Sequence, residues 1–320
     1  MMKRYRFFAY LILIAAALYA CKKDALTTPD FEVSAEKTTV STTEDAVFTF
    51  AGNPDMITFY SGQPGKEYDK IDRITDPNAT NQLGFAVKYN DNFTNAAINQ
   101  PRNLSVFASN KFNGKWSDSA SVRNGNWVDI SDRVTWPAVT STTAVTSLFD
   151  ISDFRTARDT VFIAFRYKST TSSATSKARS WQMTNFKLNN IGSNGLVYLN
   201  GITTNNVNSA NDNRLAGFNA YSFKGESVKD SLKWTLDASS TFPTGADGYS
   251  DEDWMISRAF KLSSIILDRG VYIKKRLDVV NTYRYKFTSP GTYKVTFVAV
   301  NSTVEGGSKS TIRNLTIKVE

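Results

Sequence analysis

From Phe31 onward the apolar residues come in short runs of Val, Ile, Phe, Tyr and Thr. Gly, Asn, Pro or Asp ends each run within about ten residues, so the strand period fits and a helical one does not. The predicted strands include Val47–Phe50, Met56–Tyr60, Leu83–Tyr89, Leu104–Ala108, Trp127–Ile130, Val161–Tyr167, Trp181–Leu188, Val271–Lys274, Tyr293–Val300 and Thr311–Val319. Turn signals stand between them at Gly52-Asn53-Pro54, Asn113-Gly114, Asn124-Gly125, Ser289-Pro290-Gly291 and Glu305-Gly306-Gly307. Aromatics make up 13% of the 320 residues, and they favour pleated surfaces over helices. The expected class is all-β, built from sandwiches.

The chain has no histidine and one cysteine. Ser–His and Cys–His triads, histidine metal sites, Cys/His zinc sites, iron–sulfur clusters and internal disulfides all need residues that are missing. No cofactor is expected. Asp247, Asp251 and Asp253, with Gly245 and Gly248 nearby, are oxygen donors that calcium could use, though their spacing does not match a helix–loop–helix calcium loop. Glycoside hydrolysis needs only two carboxylates about 5–9 Å apart, but no glycosidase motif is present and the chain is read as a non-enzyme.

Lys3, Arg4 and Arg6 precede an apolar run from Phe7 to Ala20, which ends at the single cysteine, Cys21. That run is shorter than the about 20 residues a membrane span needs, and it has the layout of a secretory leader. Leu18-Tyr19-Ala20-Cys21 resembles a bacterial lipoprotein cleavage box, with Tyr19 bulkier than is usual at its position. The resemblance implies cleavage of residues 1–20 and lipidation of Cys21, with residues 21–30 as a polar tether. The protein would then sit at the outer membrane facing the exterior, held there by its lipid anchor alone. Cleavage takes the basic residues from 38 to 35 against 30 acidic ones, leaving a net charge of +5. No basic run is interleaved with stacking aromatics, so nucleic acid is not an expected partner.

The two ends of the remaining chain read as halves of one domain. Tyr285 to Thr296, with its Pro290-Gly291 turn and Tyr293-x-Val295-Thr296, resembles the signature of polycystic-kidney-disease (PKD) domains, an immunoglobulin-like family, and Asn301 sits where that family ends a strand. Neither end alone has enough strands to bury two inner faces. The expected organisation is therefore a split sandwich, residues 31–68 and 261–320, interrupted by residues 69–260. Within it, Val33–Val40 would pair with part of Thr311–Val319, and Val47–Phe50 would lie near Val295–Val300. Two independent end domains are the alternative, and they would need strands borrowed from residues 255–287. In the insertion, Phe162 to Tyr167 followed by Trp181, Asn185, Phe186 and Leu188 is similar to galactose-binding-like jelly rolls.

Taken together, these segments resemble a family of Bacteroidetes surface lipoproteins of unknown function, associated with starch-utilisation-system receptors. Its most specific residues here are Phe31 to Ser34 with Lys37-Thr38, Gly52-Asn53-Pro54-Asp55, Ile57 to Gly62, Pro64-Gly65, Glu67-Tyr68, Asp253 to Ser257, Gly270-Val271-x-Ile273-Lys274 and Gly291 to Phe297. The resemblance implies a polysaccharide- or oligosaccharide-binding accessory to an outer-membrane transporter pair, and it brings no catalytic residues. The alternative is a structural or adhesive surface protein that binds a protein partner.

Sugar sites use exposed aromatics, because a pyranose presents an apolar face that stacks on a ring. Trp116 and Trp136 lie in loop-like sequence, and Trp254 follows a Gly-containing turn, so these three are the candidate ligand residues. Trp127, Trp181 and Trp234 lie in alternating sequence and read as core. Asp118-Ser119-Ala120, Asp159-Thr160-Val161 and Asp230-Ser231-Leu232 resemble acceptors for periplasmic O-glycosylation.

Overall fold

The computed structural model describes residues 26–89, 100–141, 143–169, 175–176, 179, 181–202, 217–223, 235–236, 251–304 and 306–320. The chain divides into two units, Met1–Asp72 with Asp268–Glu320, and Arg73–Leu267. Both are all-β sandwiches.

The first unit opens with β1 (Phe31–Ala35), β2 (Thr39–Val40), β3 (Ala46–Gly52) and β4 (Met56–Tyr60). The second holds β5 (Thr80–Tyr89), β6 (Leu104–Ser109), the one-turn helix α1 (Ser119–Arg123), β7 (Val128–Asp129), β8 (Val145–Asp150) and β9 (Thr160–Ser169). It continues with β10 (Trp181–Ile191), β11 (Val197–Ile202), β12 (Asn219–Ser222), β13 (Thr235–Leu236), β14 (Asp251–Ile256) and β15 (Phe260–Lys261). The first unit then resumes with β16 (Val271–Lys274), β17 (Thr282–Tyr285), β18 (Gly291–Ser302) and β19 (Ser308–Val319).

In the first unit a sheet ordered β1-β3-β17 faces one ordered β16-β4-β18-β19-β2. Alternation along β4 buries Ile57 and Phe59, and β18 adds Val295, Phe297 and Ala299. Phe48 closes the core from the other sheet, with its ring 5.1 Å from that of Phe297 and 5.9 Å from Phe59. Each fully buried ring of this kind contributes roughly 1.5–3 kcal/mol. The N-terminal segment meets the last strand through β2, in a parallel pairing of Thr39 with Lys318 and Val40 with Val319. β1 itself pairs antiparallel with β3.

The boundaries differ from the expected 68/69 and 260/261. Phe260, Leu262 and Ile265 are buried in the second unit, and Asp76 N donates to Ser263 O at 2.8 Å there. The first unit keeps residues 69–72 because the motif loop after β4 closes on the returning chain. Glu67 N donates to Asp268 Oδ1 at 3.0 Å, Arg269 N donates to Gly65 O at 3.0 Å, and Lys294 Nζ reaches Asp69 at 2.7 Å.

In the second unit a sheet ordered β11-β10-β5-β8 faces one ordered β12-β14-β9-β6-β7. Their inner faces meet through Phe85 and Phe165, 5.1 Å apart and edge to face. Strand β10 carries the Trp181…Asn185-Phe186-x-Leu188 pattern, and the structure explains its spacing. Asn185 has φ 56° and sits in a register shift between Thr184 and Lys187. That bulge reverses the parity of the strand, so Trp181, Met183, Phe186 and Leu188 all point into one core. Asn tolerates the left-handed backbone better than most residues.

Candidate functional site

The six-stranded arrangement in the second unit has a second, outward face, opposite Val106, Ile163, Phe165 and Met255. Ladder register places Tyr221, Trp254, Arg166 and Ser105 in one row across β12, β14, β9 and β6. Glu252 and Lys168 form the adjacent row, and Phe223 N donates to Glu252 O at 3.1 Å. These residues share a face because the strand period is two.

The excursion between β6 and β7 lies over part of this face. Ser109 Oγ ties its base, donating to Gly125 O and accepting from Lys111 N at 3.1 Å and Phe112 N at 3.0 Å. Asp118 caps α1 by accepting from Ser121 N at 3.0 Å. Hydrogen bonds from the Ser121 hydroxyl and amide hold the Asp118 carboxyl below its ordinary value. The excursion lays Phe112 and Trp127 against the sheet. The Trp127 and Trp254 rings lie 5.5 Å apart, and Phe107 lies 5.3 Å from Trp254.

At the centre of the face Arg166 Nε lies 3.1 Å from Glu252 Oε1, which also accepts from Trp254 Nε1 at 3.1 Å. The first contact is a charge pair without hydrogen-bond alignment, since Nε has no aligned partner. The guanidinium carbon is 5.6 Å from the Trp254 ring and 5.9 Å from Phe107, within cation–π range. Among the described residues, its terminal amines hold no partner, and the side chain keeps 26% exposure. At the edge, Arg123 covers one side of the half-buried Phe223 ring at 3.8 Å, and Tyr221 meets that ring at 5.0 Å. The face thus offers flat apolar rings, uncommitted cationic donors and one central carboxylate. That is the chemistry a sugar ring and its hydroxyls require.

The three nominated tryptophans fare differently. Trp116 is 41% exposed, on the loop whose Gly114 lies against Phe162 at the margin of this face. Trp254 belongs to the same face but is only 5% exposed, because Phe107 and Trp127 pack on it. The expectation that it stacks on a ligand is therefore corrected, and it forms the floor. Trp136 lies elsewhere, against the inner core. Trp181 stands 5.6 Å from it edge-on, Arg102 lies 4.4 Å over its ring, and its Nε1 donates to Ser131 O at 3.0 Å. Its indole N–H and one ring face are engaged, and it is not part of the outward face. Trp127, read as core, is half-buried on the outward face and donates to Val122 O at 2.8 Å.

Arg166, Glu252 and Lys168 had escaped sequence reasoning. They were legible only as the outward positions of two strands whose pairing is not written locally. Cys21, Trp234, Asp230 to Leu232 and Asp247 lie outside the described residues, and no group of three metal-ligating side chains occurs among those described. Of the remaining acceptor-like tripeptides, Ser119 is exposed, whereas Thr160 and Val161 open β9, with Val161 fully buried.

Comparison with protein families matches residues 20–210 to Domain of unknown function (DUF5017). The match takes in the N-terminal part of the first unit and most of the second. No curated protein and no solved structure matches the chain.

Proposed function

Since the chain belongs to the DUF5017 family, which brings no activity with it, we propose from its own residues that it is a non-catalytic, lipid-anchored surface protein that captures glycan. The outward face of β12-β14-β9-β6 is the binding surface. The row Tyr221–Trp254–Arg166–Ser105 carries this reading, because it sets a partly exposed guanidinium, whose terminal amines have no partner among the described residues, over an aromatic floor. The leader and lipobox-like Cys21 support the anchor, and an exterior position at the outer membrane beside a nutrient transporter pair follows from the family resemblance of the sequence.

Among the described residues of this face, the carboxylate pair Glu252 and Asp129 supports a binding role over hydrolysis. Glu252 on β14 and Asp129 on β7 are separated by three strand spacings, about 14 Å across the sheet. They are also four residues out of row, so they lie well beyond the about 5–9.5 Å of a glycosidase pair.

Affinity electrophoresis and calorimetry of the full chain against a polysaccharide panel test the reading. A charged hydrogen-bond donor is worth about 1.5–3 kcal/mol, so Arg166→Ala should weaken binding roughly 10- to 100-fold at unchanged thermal stability. Flat traces with every glycan, host mucin sugars included, would sink it. A protein partner pulled down through the same face would favour an adhesive role.

A further inference from the structure

Three large apolar side chains in the described structure are more than four-fifths exposed: Leu277 at 95%, Val304 at 95% and Val279 at 86%. All three lie at one end of the first unit. Leu277 and Val279 belong to the turn after β16, and Val304 to the turn between β18 and β19. A chain of contacts joins the two turns. Arg276 Nε lies 3.7 Å from Asp55 Oδ1, whose other oxygen accepts from Ser302 N at 2.8 Å. Asp55 N in turn donates to Asn301 Oδ1 at 3.1 Å.

The N-terminal tether leaves from the same end. Asn301 Nδ2 donates to Thr27 O at 3.2 Å, Thr311 Oγ1 donates to Pro29 O at 2.8 Å, and Leu26 packs beside Gly307. Leu26 lies five residue steps beyond Cys21. Fully extended, they reach about 18 Å at most.

We infer that this end of the first unit is a membrane-contact surface, on which Leu277, Val279 and Val304 dip into the lipid interface beside the anchor. The inference rests on the reading of Cys21 as lipidated, and it adds protein contact to an attachment otherwise made by acyl chains alone. Scattered exposed apolar residues need no explanation, but the three most exposed ones gathered around the tether exit do. The turn chemistry suits an interface. Asp278 Oδ2 accepts from Lys275 N at 2.9 Å, which ties the carboxylate into the turn. Lys275 can keep its ammonium at headgroup level while its stem lies along apolar surface. Lys22 and Lys23, which follow Cys21 in the sequence, supply two further cations close to the anchor along the chain.

The test uses the full chain, expressed with its own leader and purified from membranes. It is placed in vesicles of phosphatidylcholine and phosphatidylglycerol carrying a shallow nitroxide lipid. An environment-sensitive dye is attached in turn to Leu277→Cys, Val304→Cys and Ser289→Cys. Ser289 precedes β18 at its other end, about 40 Å away along a 12-residue strand. The dyes at 277 and 304 should shift to the blue and lose roughly half their emission to the nitroxide, while the dye at 289 stays unquenched. Intact mass reads the acyl chains on Cys21 in the same samples. Acylated protein whose dyes at 277 and 304 behave like that at 289 overturns the contact surface and leaves the anchor standing. An unmodified Cys21 overturns the anchor, and the contact surface with it.

Discussion

Arg313 and Glu32 grip each other with two parallel contacts, Nη2 to Oε1 at 2.7 Å and Nε to Oε2 at 3.1 Å. They join β19 to β1, strands of opposite sheets that share no backbone ladder. The guanidinium holds the Glu32 carboxyl below its ordinary value of 4.5. A lowered carboxylate stabilises the fold above its unfolded value, and the benefit is lost as pH falls through the folded one. Arg313→Ala should therefore lower the melting temperature slightly at neutral pH. The gap should close in acid and in high salt, because the pair is exposed and screened. A gap that persisted in both conditions would place the effect in packing instead.

Gly52 has φ 89°, and a Cβ there would overlap the carbonyl oxygen of Asp30. Gly52→Ala should cost roughly 2 kcal/mol or more, combining the left-handed backbone with the overlap. Protease cleavage before Phe31 should rise together with the loss in the denaturation midpoint.

Asp76 accepts from Ser193 Oγ at 2.7 Å and Ser193 N at 2.8 Å, and from Asn78 N at 2.9 Å. These bonds, the Ser193 hydroxyl first, hold it below its ordinary 3.8. Asp76→Asn should destabilise the second unit at pH 7, and wild type should lose that advantage as pH drops below about 4. Chemical denaturation at several pH values reads this directly. An advantage constant down to pH 2 would contradict it.

Two of the tryptophans at the outward face carry opposite expectations. Trp254→Ala removes a floor residue 5% exposed and should cost about 3–5 kcal/mol of stability. Trp116→Ala, on an exposed loop, should stay within about 0.5 kcal/mol. A glycan-affinity loss in the Trp116 variant would then mark contact, since folding is unaffected.

The sequence of the second unit is continuous, whereas that of the first is split. Residues 73–267 expressed alone should melt cooperatively. Removing the chain after Asn281 should leave the first unit unfolded and aggregation-prone, because β4 loses its partner β18 and β3 loses β17. Light scattering and melting of the two proteins separate these outcomes.

Strand positions were legible where alternation is strong. Met56–Tyr60 and Val271–Lys274 coincide with β4 and β16, and both are bounded by Gly or Pro signals. Legibility failed where a partner far along the chain decides the outcome. Trp127–Ile130 shortens to the pair Val128–Asp129, because Trp127 is drawn under the excursion. Asn219–Ser222 is polar and short, and becomes a strand only through pairing with β14. Trp254 was misjudged for a related reason. Its acidic neighbour Asp253 suggests solvent, but alternation sends that side chain to the opposite side. What covers the tryptophan comes from residues 107–127, a contact that no local pattern announces. Cross-strand rows such as Tyr221–Trp254–Arg166–Ser105 depend on register between distant strands, and so became visible only in the fold.

The antiparallel pairing of β1 with β3 has a mechanical side. The chain enters the first unit at Phe31, opposite Gly52, and departs for the second from the far end of β4, where Gly62 lies against Lys294 O. If Cys21 carries the proposed anchor and the second unit holds the proposed ligand, drag on that ligand would pull between those two ends, along the strand axis. All five pairs from Phe31–Gly52 to Ala35–Phe48 would then share the load in shear, where a perpendicular pull would peel them one at a time. How long the unit withstands flow is set by its unfolding rate under that force and not by its equilibrium stability. The Glu32–Arg313 grip lies on the same strand and would act as a second fastening.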